Sequence, residues 1–479
     1  MTAAAARFVA ALCALVALVA IATVDRPVAH AGRPPQPGVA PVSTVTRVCP
    51  SVTGGASQLA TDMTIAAVGT GQVSASYAPL TGRPALHRTT VAVAPSHVLH
   101  STSPGGAVVV TATGSGAAGV VASQVALAAT GRGRGLSDTP CASPATDWWF
   151  AGADGRIGIT DRIYVVNPAD TPANVALSLW ASRGPLSPPG VSGITVPAHG
   201  VVVRAVSDLA PDAQWVAVHV HANSGTVTAA LVDEHLNGVT PGGADWIPAT
   251  APPATSGVVT GFTNYSHVDV VHLANPGTRD ATVALRVVTT SRNFVPAGSE
   301  TIVVPAGHTV AVNLTAAIAG ELAAVSFSSD SDVVASGIAV THPTRGLDDI
   351  AWLPAQQPLT AAAAIAADEP PFGQSVRLVL TAPAGRAAVV IRSPRGSTHR
   401  IAVPAGRTAA VDLRSALRGP TAGAGPVEIE PEPGAPVYVV RLLYASGAHG
   451  PLFTAEAPTV LPTATPLPAV VPDLRAASR

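Results

Sequence analysis

Four times along the chain a turn of one design sits between runs of small β-forming residues. The copies read Val93-Ala94-Pro95-Ser96-His97, Val196-Pro197-Ala198-His199-Gly200, Val304-Pro305-Ala306-Gly307-His308 and Val403-Pro404-Ala405-Gly406-Arg407. Their prolines lie 102, 108 and 99 residues apart. A period of about 100 residues is the length of one small β-sandwich, so the repeat constrains the chain to a tandem string of such domains. An aromatic close follows each turn, at Trp148-Trp149, Trp246, Trp352 and Phe453.

The second and third copies align best. Ile163-Tyr164-Val165-Val166-Asn167-Pro168 corresponds to Val271-His272-Leu273-Ala274-Asn275-Pro276. Asn-Pro after an apolar run ends a strand, because proline cannot donate to the ladder and asparagine tolerates turn geometry. Residues 173–179 and 281–287 alternate Val or Leu with small or polar residues, the period of a strand with one buried face. Two further strands, 215–221 and 226–232, match 322–327 and 333–340. This brings the count to about seven strands per copy, the immunoglobulin-like number. The fourth copy lacks the Asn-Pro turn and the first diverges most, as end repeats do. The fold class is all-β: tandem immunoglobulin-like β-sandwich domains after an N-terminal signal or anchor segment.

That segment is residues 1–31. Arg7 precedes a 17-residue run from Phe8 to Val24, broken only by Thr23, and Ala29-His30-Ala31 has the small-x-small pattern that signal peptidase accepts. Cleavage after Ala31 and retention as a membrane anchor both stay open, because so short a run lies at the edge of what spans a bilayer. Either outcome places the remainder outside the cytoplasm, secreted or anchored. Of three cysteines, Cys13 lies in the apolar run, which leaves Cys49 and Cys141 to bracket the first domain. In an oxidising compartment this predicts a disulfide, and two lone cysteines without Cys-x-x-Cys spacing make no zinc site.

Composition shifts mark the domains. A Pro-rich linker covers 32–45, and sandwiches cover 46–145, 146–253, 254–358 and 359–457. The Pro- and Ala-rich tail, 458–479, is expected to be disordered. Pro-rich joints read as stiff and extended. Residues 361–368 are a candidate helix or an Ala-rich linker. The net charge is −1, with arginine and no lysine, so nothing favours nucleic acid as a partner.

Candidate chemistry is sparse. His219 and His221 alternate on an expected strand, so both rings share a face, as a metal site requires. The third copy carries Val325 and Phe327 at the matching places, and the pair reads as structural or surface histidine. Asp330-Ser331-Asp332 lacks the further oxygen ligands of a calcium loop and reads as turn chemistry. No Gly-x-Ser-x-Gly elbow occurs, and Asp233-Glu234 point to opposite faces of a strand, so neither nucleophilic nor paired-carboxylate catalysis is indicated. Arg132 and Arg134, in Gly131-Arg132-Gly133-Arg134-Gly135, read as a solvated loop that could touch anionic groups. Tryptophans at the closing position of several copies read as core, because copies of a domain share what folding requires. Trp180 and Trp215, which are not at that position, are the candidates for exposed ligand contact.

The apolar N-terminal segment, Cys49-Pro50, Trp148-Trp149-Phe150, the Asn-Pro turns and the Val-Pro-Ala-Gly turns together resemble an actinobacterial family of exported, often membrane-anchored proteins, catalogued as a domain of unknown function. The resemblance implies an envelope location and brings no catalytic residues. The chain accordingly reads as a non-enzymatic, extracytoplasmic scaffold or interaction module without cofactor. Its expected partners are cell-envelope proteins or, in the alternative reading, wall glycans, with membrane contact only through an uncleaved N-terminal segment.

Overall fold

The computed structural model describes residues 38–50, 56–83, 88–91, 93, 96–101, 106–343, 346–366, 375–394, 396–417, 425–447 and 449–467. The N-terminal apolar segment and Pro95 of the first turn lie outside them. Two compact units result: Val42–Thr463, and a small one made of Met1–Pro41 with Ala464–Arg479. In the small unit, Gly38–Ala40 pairs antiparallel with Thr465–Leu467.

Within Val42–Thr463 one eight-strand plan is used four times. In the second repeat the strands of this plan are, in order, Asp147–Ala153, Arg162–Asn167, Ala173–Ala181, Ile194–Val196, Gly200–Ala205, Val216–Ser224, Thr228–Asn237 and Thr240–Ile247, with a further short strand, Gly184–Leu186, paired to Ala173–Ala181. Counting these one to eight, one sheet has the order 1-6-3-4 and the other 5-2-7-8, all antiparallel. The first and fourth repeats pair the same way; the third keeps these pairings, but its first strand also pairs with its eighth and one strand serves as both sixth and seventh, which joins its two layers into a single sheet. Second-with-fifth and third-with-sixth pairing is that of the immunoglobulin sandwich, but here the first strand lies beside the sixth and the seventh beside the second. Each sandwich closes on alternating aliphatic residues; in the second repeat these include Ile163, Val165, Val175, Leu177, Val218 and Val220.

Local chemistry explains the turns. Asn167 is fully buried, and its Nδ2 donates to the carbonyls of Thr171 and Val196 at 2.8 and 3.1 Å while its Oδ1 accepts from Ala169 N. Asn275 makes the same bonds to Arg279, Val304 and Gly277. The Pro turns need one residue in the left-handed region: Gly307 (φ 74°) and Gly406 (φ 65°) supply it directly. In the second repeat His199 takes that position at φ 53°, its ring 2.8 Å from the Asp170 carboxylate. A single helical turn follows the fifth strand in repeats two to four, at Val206–Leu209, Thr315–Ile318 and Leu413–Ala416.

Several expectations change. The third repeat has one continuous strand, Ala323–Thr341, where two strands flanking a hairpin were expected. The second repeat breaks there at Gly225 (φ 75°), whereas 326–332 has neither glycine nor proline and passes straight from one sheet to the other. Residues 363–365 form a strand and not a helix, because ladders to Val427–Pro431 and Thr459–Val460 outweigh alanine's helix propensity. Thr459–Val460 and Thr465–Leu467 likewise give the start of the tail strand structure; residues 468–479 lie outside the described residues.

The repeats are not strung out. The eighth strands, Gly135–Pro140, Thr240–Ile247, Asp349–Gln356 and Gly450–Glu456, touch in a cycle, first to second to third to fourth and back to first. Trp352 of the third repeat packs in the core of the second, Phe453 of the fourth in that of the third, and Leu136 of the first in that of the fourth. Glycine permits this approach: a Cβ on Gly135 would lie 2.5 Å from Ala244 O, and one on Gly243 2.6 Å from Ile350 N. Buried polar groups then link the repeats. Asp245 accepts from Trp352 N at 3.0 Å and from Thr454 Oγ1 at 3.0 Å, and Asp349 accepts from Phe453 N at 3.0 Å. Arg441 bridges Asp138 and Glu456. Burial pushes the Asp245 and Asp349 carboxyls well above the usual range.

Candidate functional site

Two places on this body gather polar and aromatic groups. The first is the outer face of the 1-6-3-4 sheet in the second repeat. Asp147 and Trp149 stand two apart on one strand, directly opposite His221 and His219 on the next. Trp180 follows on the third strand, opposite Ala217. The His219 ring stacks on Trp149 with centroids 3.9 Å apart and planes 7° apart, and Trp180 stacks on Trp149 at 5.6 Å. Trp149 and Trp180 are half-buried against Ala274 and Val334 of the third repeat. The face therefore begins at an interface and emerges into solvent at Asp147 and His221.

Asp147 Oδ1 accepts from Nε2 of His219 at 2.9 Å and from Nδ1 of His221 at 2.8 Å, and its Oδ2 accepts from Thr146 Oγ1 at 2.8 Å. The hydrogen bond from His221 heads the causes that hold the Asp147 carboxyl down at about 2. Burial lowers His219 despite the carboxylate beside it. Among the described residues these three side chains form the group of donors able to hold a metal ion, their ligand atoms all within 4.8 Å of one another.

The comparison with Val325 and Phe327 does not survive the register. Leu177 faces Val220 and Leu285 faces Phe327, so Phe327 is the equivalent of the inward Val220, and Val325 of the inward Val218. A one-residue slip exchanges the faces of a strand. The true counterparts of His219 and His221 are Ser326 and Ser328, opposite Val258 and Ser256.

The second place is a cleft of about 350 Å³ between the second and third repeats, lined by Asp154, Arg156, Trp215, His235, His272 and Trp352 among others. Trp215 holds a left-handed backbone conformation at φ 55°, a strained state for a bulky residue. Arg156 grips the Asp154 carboxylate through Nε and Nη2 at 2.7–3.0 Å. Behind them, Asp233 Oδ2 accepts from Trp352 Nε1 at 2.8 Å and lies 2.9 Å from His235 Nε2. Burial, then the neighbouring Asp233 charge, raises Asp161 well above its ordinary value. Burial takes His272 down to about 4.

The remaining sequence candidates fall as follows. Cys49 and Cys141 form the disulfide of the first repeat. Arg132 is exposed and donates to Thr160 Oγ1 at 2.6 Å. Arg134 is a correction: it is buried, not solvated, because its loop runs into the central cycle and Nη1 donates to Asp348 O at 2.9 Å. Trp180 and Trp215 are half-buried rather than freely exposed. Asp330 Oδ1 accepts from Thr282 N at 2.8 Å, a main-chain role.

A family model described as a family of unknown function, DUF5719, matches residues 98–414, from the fifth strand of the first repeat to the helical turn of the fourth. The chain belongs to that family. The matched span contains both places just described, while Cys49 and the strand with Phe453 lie outside it. A biofilm-associated protein BSP domain matches among solved structures at 8% identity over 91% of this chain and 98% of that one, with a TM-score of 0.13, too low to carry a structural argument. The comparison with curated proteins returns no match. Among the described residues, no helix is long and apolar enough to cross a membrane.

Proposed function

We propose that this family member is a non-enzymatic, extracytoplasmic scaffold or interaction module of the cell envelope. The observation that carries the reading is the closed cycle of eighth strands, sealed by the buried bonds of Asp245, Asp349 and Arg441. A body locked at its centre holds its outward sheet faces in fixed relation, which suits a protein that positions partners. Consistent with a non-catalytic role, one carboxylate lining the cleft and one behind it are engaged by the fold: Asp154 by Arg156, and Asp233 by Trp352 and His235. The disulfide suits an oxidising compartment.

A second reading, binding of wall glycans, has one observation in its favour: Trp215 lines a cleft next to Asp154 and Arg156, and indole faces suit the apolar faces of sugars. One experiment separates the two. Photo-crosslinking of the chain in intact envelopes should yield protein adducts, and the purified chain should not sediment with isolated wall polysaccharide. Sedimentation with polysaccharide that disappears in Trp215→Ala would replace the scaffold reading by the glycan reading.

A further inference from the structure

We propose that Asp147, His219 and His221 form a binding site for a divalent transition-metal ion of the zinc class. Two nitrogens and one carboxylate oxygen are a donor set that borderline ions favour over calcium or magnesium. The geometry is close to what coordination requires. Donors each about 2.1 Å from a tetrahedral ion stand about 3.4 Å apart, a little wider than the hydrogen-bonded group. Oδ1 of Asp147 is 2.9 and 2.8 Å from the two ring nitrogens. An ion entering there is met by neutral rings in the other tautomer, with the protons on Nδ1 of His219 and Nε2 of His221, so that the two nitrogens now bonded to the carboxylate offer lone pairs; small rotations of the half-exposed His221 and Asp147 side chains admit it.

Three features mark the group as built. The His219 ring is clamped by its stack on Trp149, which limits its rotation. Thr146 Oγ1 holds the outer oxygen of Asp147, the kind of supporting bond that orients ligating carboxylates. The arrangement also belongs to one repeat alone: the equivalent outward positions are Ser326 and Ser328 in the third repeat and Glu428 and Glu430 in the fourth, where Glu430 pairs with Arg392. The sandwich folds without the triad three times over, so folding does not require it. Three protein ligands leave coordination positions open toward solvent for water or for a donor from a partner.

The test is titration of the metal-free full chain with Zn²⁺ in competition with a chromophoric chelator. The expected result is one equivalent bound by the wild type and binding at least about tenfold weaker in His221→Gln and in Asp147→Asn, with a smaller loss in Thr146→Val. His399→Ala, which removes an exposed histidine in the fourth repeat, should bind as the wild type does. Cu²⁺ should quench tryptophan emission at one equivalent, and Trp149→Phe should remove most of that quenching, because this indole stacks directly on a ligand ring. Circular dichroism and melting of metal-free His221→Gln and Asp147→Asn should match the wild type, so that weaker binding reflects lost ligands. Absence of one-equivalent binding in the wild type, or unchanged affinity in both ligand variants, would overturn the proposal.

Discussion

At the scale of single residues, Trp352 ties the third repeat to the second. Its equivalence to Trp246, two residues before a proline in both copies, marked both as core from the sequence, and they are 2% and 5% exposed. Where each is buried was not legible. Trp352 fills the core of the preceding repeat and donates to Asp233 there. Trp352→Ala should therefore destabilise the protein by about 3–5 kcal/mol, the range for a buried aromatic, measured by urea denaturation. The matching positions in the first and fourth repeats, counted from Pro140 and Pro458, are Asp138 and Glu456, which Arg441 bridges. Charge has replaced indole at the same structural place, so no aromatic marks that place in the sequence. His272 gives a pH dependence. Its folded value, about 4, lies below the ordinary 6.5, so above pH 6.5 both states are neutral and the residue contributes no slope. As pH falls from 6.5 to 4 the unfolded chain takes up a proton that the folded chain refuses, and stability declines by up to about 3 kcal/mol. His272→Leu should flatten that decline relative to the wild type in melting temperatures recorded across this window.

At the scale of elements, strands were readable from period-two patterns and turns from Pro, Gly and Asn, because those signals are local. Connections were less so. The sixth and seventh strands separate at Gly225 in the second repeat and fuse into Ala323–Thr341 in the third, which has no glycine at the crossing. The disulfide ties the first strand of repeat one, which ends at Cys49, to the residue just after its eighth strand. Closing a loop of 92 residues should contribute up to about 4.5 kcal/mol in the chain-entropy model. Reduction of the folded protein, followed by calorimetry, should lower its melting temperature accordingly. Gly243 is the most exacting position of the eighth strand in repeat two. At φ 109° and with a prospective Cβ 2.6 Å from Ile350 N, Gly243→Val should both strain its own backbone and push the third repeat away. The expected outcome is loss of soluble protein or a large fall in melting temperature.

At the scale of the whole molecule, the cycle of eighth strands packs the four repeats into one body. Removing the fourth repeat would leave Asp349 without the Phe453 amide, Asp245 without Thr454 and Asp138 without Arg441. Buried groups stripped of their partners are costly, by about 1–3 kcal/mol each and more for charges. The intact chain should thus unfold in a single calorimetric transition, whereas a chain ending near residue 358 should be unstable or aggregate. Four separate transitions would show that the central contacts are weak.

The repeat period, the strand pattern, the cysteine pair and the shared tryptophans were set by order along the chain alone, because each is a local or periodic property that survives without a neighbour. Tertiary structure alone decided which residues meet across repeats. Asp147 lies 74 residues from His221 and finds it only because the first strand pairs with the sixth. The cycle that buries Trp352 in another repeat's core, and Arg134 against Asp348, depends on how whole sheets approach. Nothing in a single strand's sequence encodes that approach, because the packing free energy belongs to two surfaces at once.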